Sequence, residues 1–203
     1  MRHWMVLGLL ACACGSSNDG SQDSGTPAGT GTITGTVKGH ALTVNDAVFG
    51  IDPGTMFVTV DIADLTGICE LLGGNTLPSG TITVLGFAFF NWTGIGGTDP
   101  VVGDYAWLDL PNLTGNPAAG KWWSGAFVIP TSCTSGDSTA ATGGTATVTQ
   151  VGTTSGTHLK VTLNNFAFGS DTLNGSVEAI YCVNATIHPN CGAGVLAVPP
   201  APQ

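Results

Sequence analysis

Four kinds of side chain in this sequence could carry chemistry: a serine with distant histidines, cysteines, aspartates and a group of tryptophans. Ser138, within Gly136-Asp137-Ser138, would act as a nucleophile if His40, His158 or His188 reached it as base. Thr139-Ala140-Ala141 follows it without further glycines, so the segment reads as a surface turn of small polar residues. No G-x-S-x-G occurs, and Gly94-Ile95-Gly96-Gly97 lacks the lysine of a phosphate loop. Cys182, His188 and Cys191 could approach a zinc ion, but they offer three ligands at loose spacing, where structural zinc takes four from tight pairs. Asp99, Asp104 and Asp109 lack the Asp-x-Asp-x-Asp-Gly spacing of a calcium loop and read as solvated acidic surface. The histidines stand singly, which makes them solvated or locally bonded side chains. No catalytic residue, metal ligand or cofactor motif is assigned, and the chain reads as a non-enzyme.

The tryptophans are more informative. Trp92, Trp107, Trp122 and Trp123 fall within 32 residues. Adjacent indoles on an extended strand point to opposite faces, so one of Trp122 and Trp123 faces outward if the other enters a core. An exposed indole offers a flat apolar face and one N–H donor, suited to a sugar ring or a partner surface. All four are therefore ligand-binding candidates, against the alternative that a loop or second sheet covers the outer one.

Cys69, Cys133, Cys182 and Cys191 make an even set that two disulfides would satisfy, in any of three connectivities. Cys182 and Cys191 flank a short step after the last strand-like run and are expected to pair locally. Cys69 with Cys133 follows by elimination.

Composition bounds what these residues can serve. The chain has 203 residues, 31 of them Gly; 8% are charged and 42% hydrophobic. That is long enough for one domain and apolar enough to fill a core, with a charged share well below the roughly 25% of an ordinary soluble domain. Four basic residues stand against 13 acidic ones, for a net charge of −9. Nucleic-acid affinity comes from many Lys and Arg displacing counterions, so that partner is excluded. Anionic lipid headgroups require a similar basic cluster and are excluded too. Membrane attachment would have to be covalent.

The amino terminus carries such a signal. Met1-Arg2-His3 precedes the apolar run Trp4–Ala11, which as a helix would rise about 12 Å against a hydrocarbon core of about 30 Å. That is a signal-peptide length, too short to span a bilayer. Leu9-Leu10-Ala11-Cys12 resembles the lipobox of bacterial lipoprotein signal peptides. The resemblance implies diacylglycerol on the Cys12 sulfur, cleavage after Ala11 and a third acyl chain on the new amino group. Two or three chains, at about 0.8 kcal/mol per buried methylene, hold a protein stably on a membrane. Ala13 stands where Asp would signal inner-membrane retention, so the resemblance implies the outer membrane of a Gram-negative bacterium. Residues 12–31 read as the lipidated cysteine and a Gly/Ser/Thr tether with an end-to-end distance of roughly 20–25 Å.

From Thr32 the pattern has period two. Met56, Val58, Val60 and Ile62 alternate with Thr55, Phe57, Thr59 and Asp61, as a half-buried strand requires. Similar runs at 32–38, 42–51, 81–91, 104–110, 122–129, 145–151, 157–168 and 172–182 are separated by Gly, Asp, Pro and Ser turns. An all-β fold is expected: an antiparallel sandwich or barrel of about nine strands, the last three forming a meander. One segment, 64–73, has helical spacing: Asp64 can cap, Leu65, Ile68 and Leu72 share a face, and Gly73 can terminate it. The domain is expected over 32–191, with a Pro-rich flexible tail over 192–203. The β-rich body also resembles uncharacterised Gram-negative surface lipoproteins. The expected role is a lipid-anchored structural or interaction module, with an envelope protein as partner, or alternatively a polysaccharide-binding module using the tryptophans.

Overall fold

The computed structural model describes residues 28–74, 82–130 and 136–186. Among them are eleven strands: β1 (Thr30–Gly35), β2 (Asp46–Ile51), β3 (Val58–Ala63), β4 (Val84–Trp92), β5 (Gly97–Thr98), β6 (Gly103–Trp107), β7 (Gly120–Pro130), β8 (Gly136–Ala140), β9 (Gly143–Gln150), β10 (His158–Phe168) and β11 (Asp171–Tyr181). One helix, α1 (Ile68–Gly74), and two 3-10 turns, Leu110–Asn112 and Val183–Thr186, complete the described elements. Eight strands close a barrel in the order β4-β3-β2-β11-β10-β9-β6-β7, with β4 pairing back onto β7. Of the two expected architectures, the chain adopts the barrel. β9, β10 and β11 form the expected meander.

Strands β1, β5 and β8 are additions to the closed ring. Thr30 and Gly31, expected in the tether, already pair with Glu178 and Val177 of β11. Ser138, expected in a surface turn, lies on β8, where it pairs with Val128 of β7. Ladder hydrogen bonds to a neighbour satisfy this backbone despite its weak strand propensity.

The alternation read from the sequence assigns the interior. Val58, Val60 and Ile62 of β3, Leu85, Phe87 and Phe89 of β4, and Trp123 and Phe127 of β7 point inward and are buried. Trp123 stacks on Phe166 with centroids 3.7 Å apart, and Phe87 meets both edge-on. A side chain on Gly125 would lie 2.6 Å from the Phe87 Cβ, so glycine makes room for that ring. In β10 the phase slips: Leu159, Val161 and Leu163 face inward, and so do Phe166 and Phe168. A bulge between Leu163 and Phe166 carries Asn165 at φ 52° and resets the alternation. An eight-stranded barrel is just wide enough for its side chains to fill, and here aromatic rings fill it together with Val, Leu, Ile and Ala side chains.

The outer faces divide in two. On β9, β10 and β11 they carry Thr147, Thr149, Lys160, Thr162, Asn164, Asn174, Ser176 and Glu178, in a polar lattice that includes Thr162–Ser176 at 3.0 Å and Asn164–Thr147 at 2.9 Å. On β3 both faces are buried: Thr59 and Asp61, expected to face water, are 2% and 4% exposed. The half-buried reading of that strand is thus corrected, because period two reports which residues share a face but not what covers the second face.

Helix α1 packs on part of this second face, with Ile68 and Leu72 against Val48, Ala63 and Ala185. It starts at Ile68 and not at Asp64. The Asp64 carboxylate accepts the Thr83 N–H at 3.0 Å instead. The amides of Gly67 and Ile68 donate to Asp46 Oδ2 at 3.1 and 3.2 Å, while Asp46 Oδ1 accepts from Gly29 and Ala47. A carboxylate 21 residues away from Gly67 therefore takes the capping role expected of a local one.

Cys69 on α1 forms a disulfide with Cys182, their Cα atoms 5.8 Å apart. This corrects the expected pairs Cys182–Cys191 and Cys69–Cys133. The end of β11 is drawn beside β2, with the Cys182 N–H on the Phe49 carbonyl at 2.7 Å, and α1 lies against the same strand. Tertiary docking, not sequence distance, chose the partner. Cys133 and Cys191 lie outside the described residues, as do Cys12, His188 and the tail.

Candidate functional site

Topology builds a groove beside β4. Strands β6 and β7 are parallel neighbours, and parallel neighbours need a crossover of about a dozen residues. Residues 108–119 supply it and pass over the outer face of β4, where Leu108 and Leu110 pack on Phe57, Phe90 and Trp92. Phe90 and Trp92 are the outward-facing residues at the end of β4, on the opposite side from the core residues Phe87 and Phe89. Between this crossover and the turns at 52–57 and 93–97 lies an open cavity of about 430 Å³.

Its floor is aromatic. Phe57 and Phe90 stack at 4.3 Å with a 14° interplanar angle, and Trp92 stands edge-on to Phe90 at 6.3 Å. Leu110, Leu113, Pro117 and Ile95 add aliphatic walls, and Ile95 is 88% exposed. Gly97 is required in the wall, since a side chain there would collide with the Thr55 carbonyl. Met56, between two lining residues, holds φ 60°, a conformation that a non-glycine residue keeps only when its surroundings impose it. The Met56 N–H donating to the Asp52 carbonyl at 2.7 Å is part of that constraint.

The four candidate tryptophans separate by role. Trp123 is core, its indole N–H on the Gly144 carbonyl at 3.1 Å. Trp122 faces outward as the alternation requires, and the crossover loop partly covers it, with its N–H on the Ala118 carbonyl at 2.9 Å. Trp107 packs half-buried against the core. Only Trp92 lines the groove. It is 6% exposed, and its Nε1, like that of Trp107, is buried with no hydrogen-bond partner among the described residues. The sequence signalled an aromatic group; the crossover that selects Trp92 could not be read from it.

The other chemistry-bearing side chains are dispersed and engaged. His158 Nδ1 lies 3.0 Å from Glu178, which also meets Lys160 at 3.2 Å. Asp104 accepts the Thr147 hydroxyl at 2.7 Å, and Asp109 accepts the Asn112 amide. His40 is exposed in a turn. Among the described residues no three His, Cys, Asp or Glu side chains come together as a metal site, and no helix is long and apolar enough to cross a membrane. No protein-family model, curated protein or solved structure matches this chain.

Proposed function

We propose that this chain is a lipid-anchored protein of the bacterial cell envelope whose barrel serves as a non-catalytic interaction module. The observation that carries the reading is Leu9-Leu10-Ala11-Cys12 behind a short apolar run, followed by a Gly/Ser-rich segment that ends where β1 begins. Acyl chains on Cys12 would supply the membrane affinity that the acidic chain cannot draw from headgroups. The barrel's own surface supports this division of labour. A membrane-spanning barrel carries an apolar outer band, whereas Lys160, Glu178 and a lattice of Thr and Asn face outward on β9–β11. With the interior filled by aromatic and aliphatic side chains, partners would meet the outside of the barrel.

The test is mass spectrometry of the mature chain and of Cys12→Ser. The expected result is an amino-terminal Cys12 bearing diacylglycerol, and an uncleaved precursor in the variant. An unacylated mature terminus, or normal processing of Cys12→Ser, overturns the reading.

A further inference from the structure

We propose that one end of the barrel rests on the surface of a zwitterionic lipid bilayer, with Ile95, Val101 and Val102 in contact with it. This rests on the anchor proposed above and says which way that anchor turns the barrel. Strand registers define the end. β2, β4, β9 and β11 finish there and β3, β6, β7 and β10 begin there, as the pairs Ile51–Val58, Trp92–Gly120, Gly103–Val148, Gln150–Lys160 and Ile180–His158 require. Among the described residues, the exposed large hydrophobic side chains all belong to segments at this end: Ile95 follows β4, Val101 and Val102 precede β6, and Val183 follows β11. Ile95 also shares the mouth of the groove with Leu113 and Pro117 of the crossover, which extends the aliphatic rim.

The chain enters the barrel at the same end. Thr30 pairs with Glu178, close to where β11 finishes at Tyr181, and Ala28 lines a depression with Ser155, Tyr181 and Val183. Cys12 lies 16 positions before Ala28, and a Gly/Ser-rich coil of that length averages roughly 20–25 Å from end to end. A bilayer holding Cys12 is therefore within reach of this end first. Single aliphatic side chains on a surface are ordinary and bind nothing tightly; the tether changes their weight. A short tether gives an effective concentration of about a millimolar, so a contact with a millimolar dissociation constant is occupied about half of the time. Chemistry selects lipid over a protein partner, because protein interfaces are anchored mostly by Trp, Tyr and Arg and the exposed set is Ile and Val. Asp99 stands exposed in the same loop as Val101 in a chain of net charge −9, which turns this end away from anionic headgroups and toward zwitterionic ones.

The experiment uses the chain with a hexahistidine tag in place of residues 1–12, held on phosphatidylcholine vesicles by nickel-chelating lipid. The tether is then fixed whether or not Cys12 is ever acylated. Hydrogen exchange on the vesicles is compared with exchange of the same protein in solution. The amides of residues 94–96 and 101–102 are expected to exchange about twofold more slowly on the vesicles, as a half-occupied contact gives. Those of residues 38–40 and 169–171, at the opposite end, are expected to keep their solution rates. Ile95→Asp combined with Val102→Asp is expected to abolish the protection, and Ile95→Trp, which places an indole at the headgroup level, to increase it. Unaltered circular dichroism confirms that each variant is folded. Solution rates at both loops, protection at the opposite end, protection that survives the double substitution, or stronger protection on phosphatidylglycerol vesicles would overturn the assignment. Acylation is read by the mass of the native chain and orientation by exchange of the tagged one, so either proposal can fail alone.

Discussion

Asp61 shows how much one residue's environment departs from its local pattern. It lies on the outward side of β3 beside Gly86, where an added Cβ would sit 3.2 Å from its carboxylate, and it is 4% exposed. Burial disfavours the charged form and pushes its pKa from 3.8 up to about 7. Below pH 3.8 folded and unfolded chains both hold the proton. Between there and about 7 only the folded chain does, so stability falls as pH rises through that window, by up to about 4 kcal/mol, and this group adds no further slope above it. Asp61→Asn removes the titration while keeping the shape. Urea unfolding at pH 5 and pH 8 should show the variant gaining on wild type by about 2–4 kcal/mol between the two pH values. A constant difference would mean that Asp61 is ionised in the folded chain throughout.

At the scale of elements, Asp46 does work that no single segment reveals. Its carboxylate accepts four backbone N–H groups, from Gly29, Ala47, Gly67 and Ile68, and so joins the approach to β1, the start of β2 and the first turn of α1. Two turns of helix are marginal alone, so α1 depends on this contact and on Ile68 and Leu72 beneath it. Asp46→Ala is expected to lose about 2–4 kcal/mol and to speed hydrogen exchange first at Gly29 and Ile68. Asp46→Asn, which keeps one acceptor oxygen, should lose less. If the amides of α1 exchange no faster in Asp46→Ala, the helix is held by packing and by the Cys69–Cys182 bridge without help from Asp46. The nine long strands and the existence of the helix were legible because period two and a shared Leu65, Ile68 and Leu72 face are written in consecutive residues. The two-residue β5, the small polar β8 and the slip at Asn165 were not. Each depends on a partner strand or on one residue's left-handed backbone, neither of which has a sequence period.

The whole molecule is governed by closure. A meander could have ended as a sandwich, but β4 pairs with β7 along nine residue pairs, from Val84–Val128 to Trp92–Gly120, and two parallel junctions, β6 with β7 and β2 with β11, complete the ring. The first junction forces the crossover that roofs Trp92, so a groove made visible only by topology uses one of the four tryptophans that the sequence had singled out. The second brings the end of β11 beside β2 and, through α1, sets Cys69 against Cys182. Reading cysteines by proximity failed for that reason: the long-range partner becomes near only once the barrel closes. The bridge spans 113 residues of sequence, and a loop of that length is worth roughly 4–5 kcal/mol in the chain-entropy model, with measured values often smaller. Cys69→Ser should therefore lower stability by about 2–4 kcal/mol while leaving the β-rich circular dichroism of the folded state intact. A reductant should destabilise wild type by the same amount and leave any effect of the Cys69–Cys182 bridge absent from the variant. Peptide mapping without reduction decides the connectivity directly, because a Cys182–Cys191 peptide would show that the local pair forms and that closure of the barrel needs no covalent tie to α1.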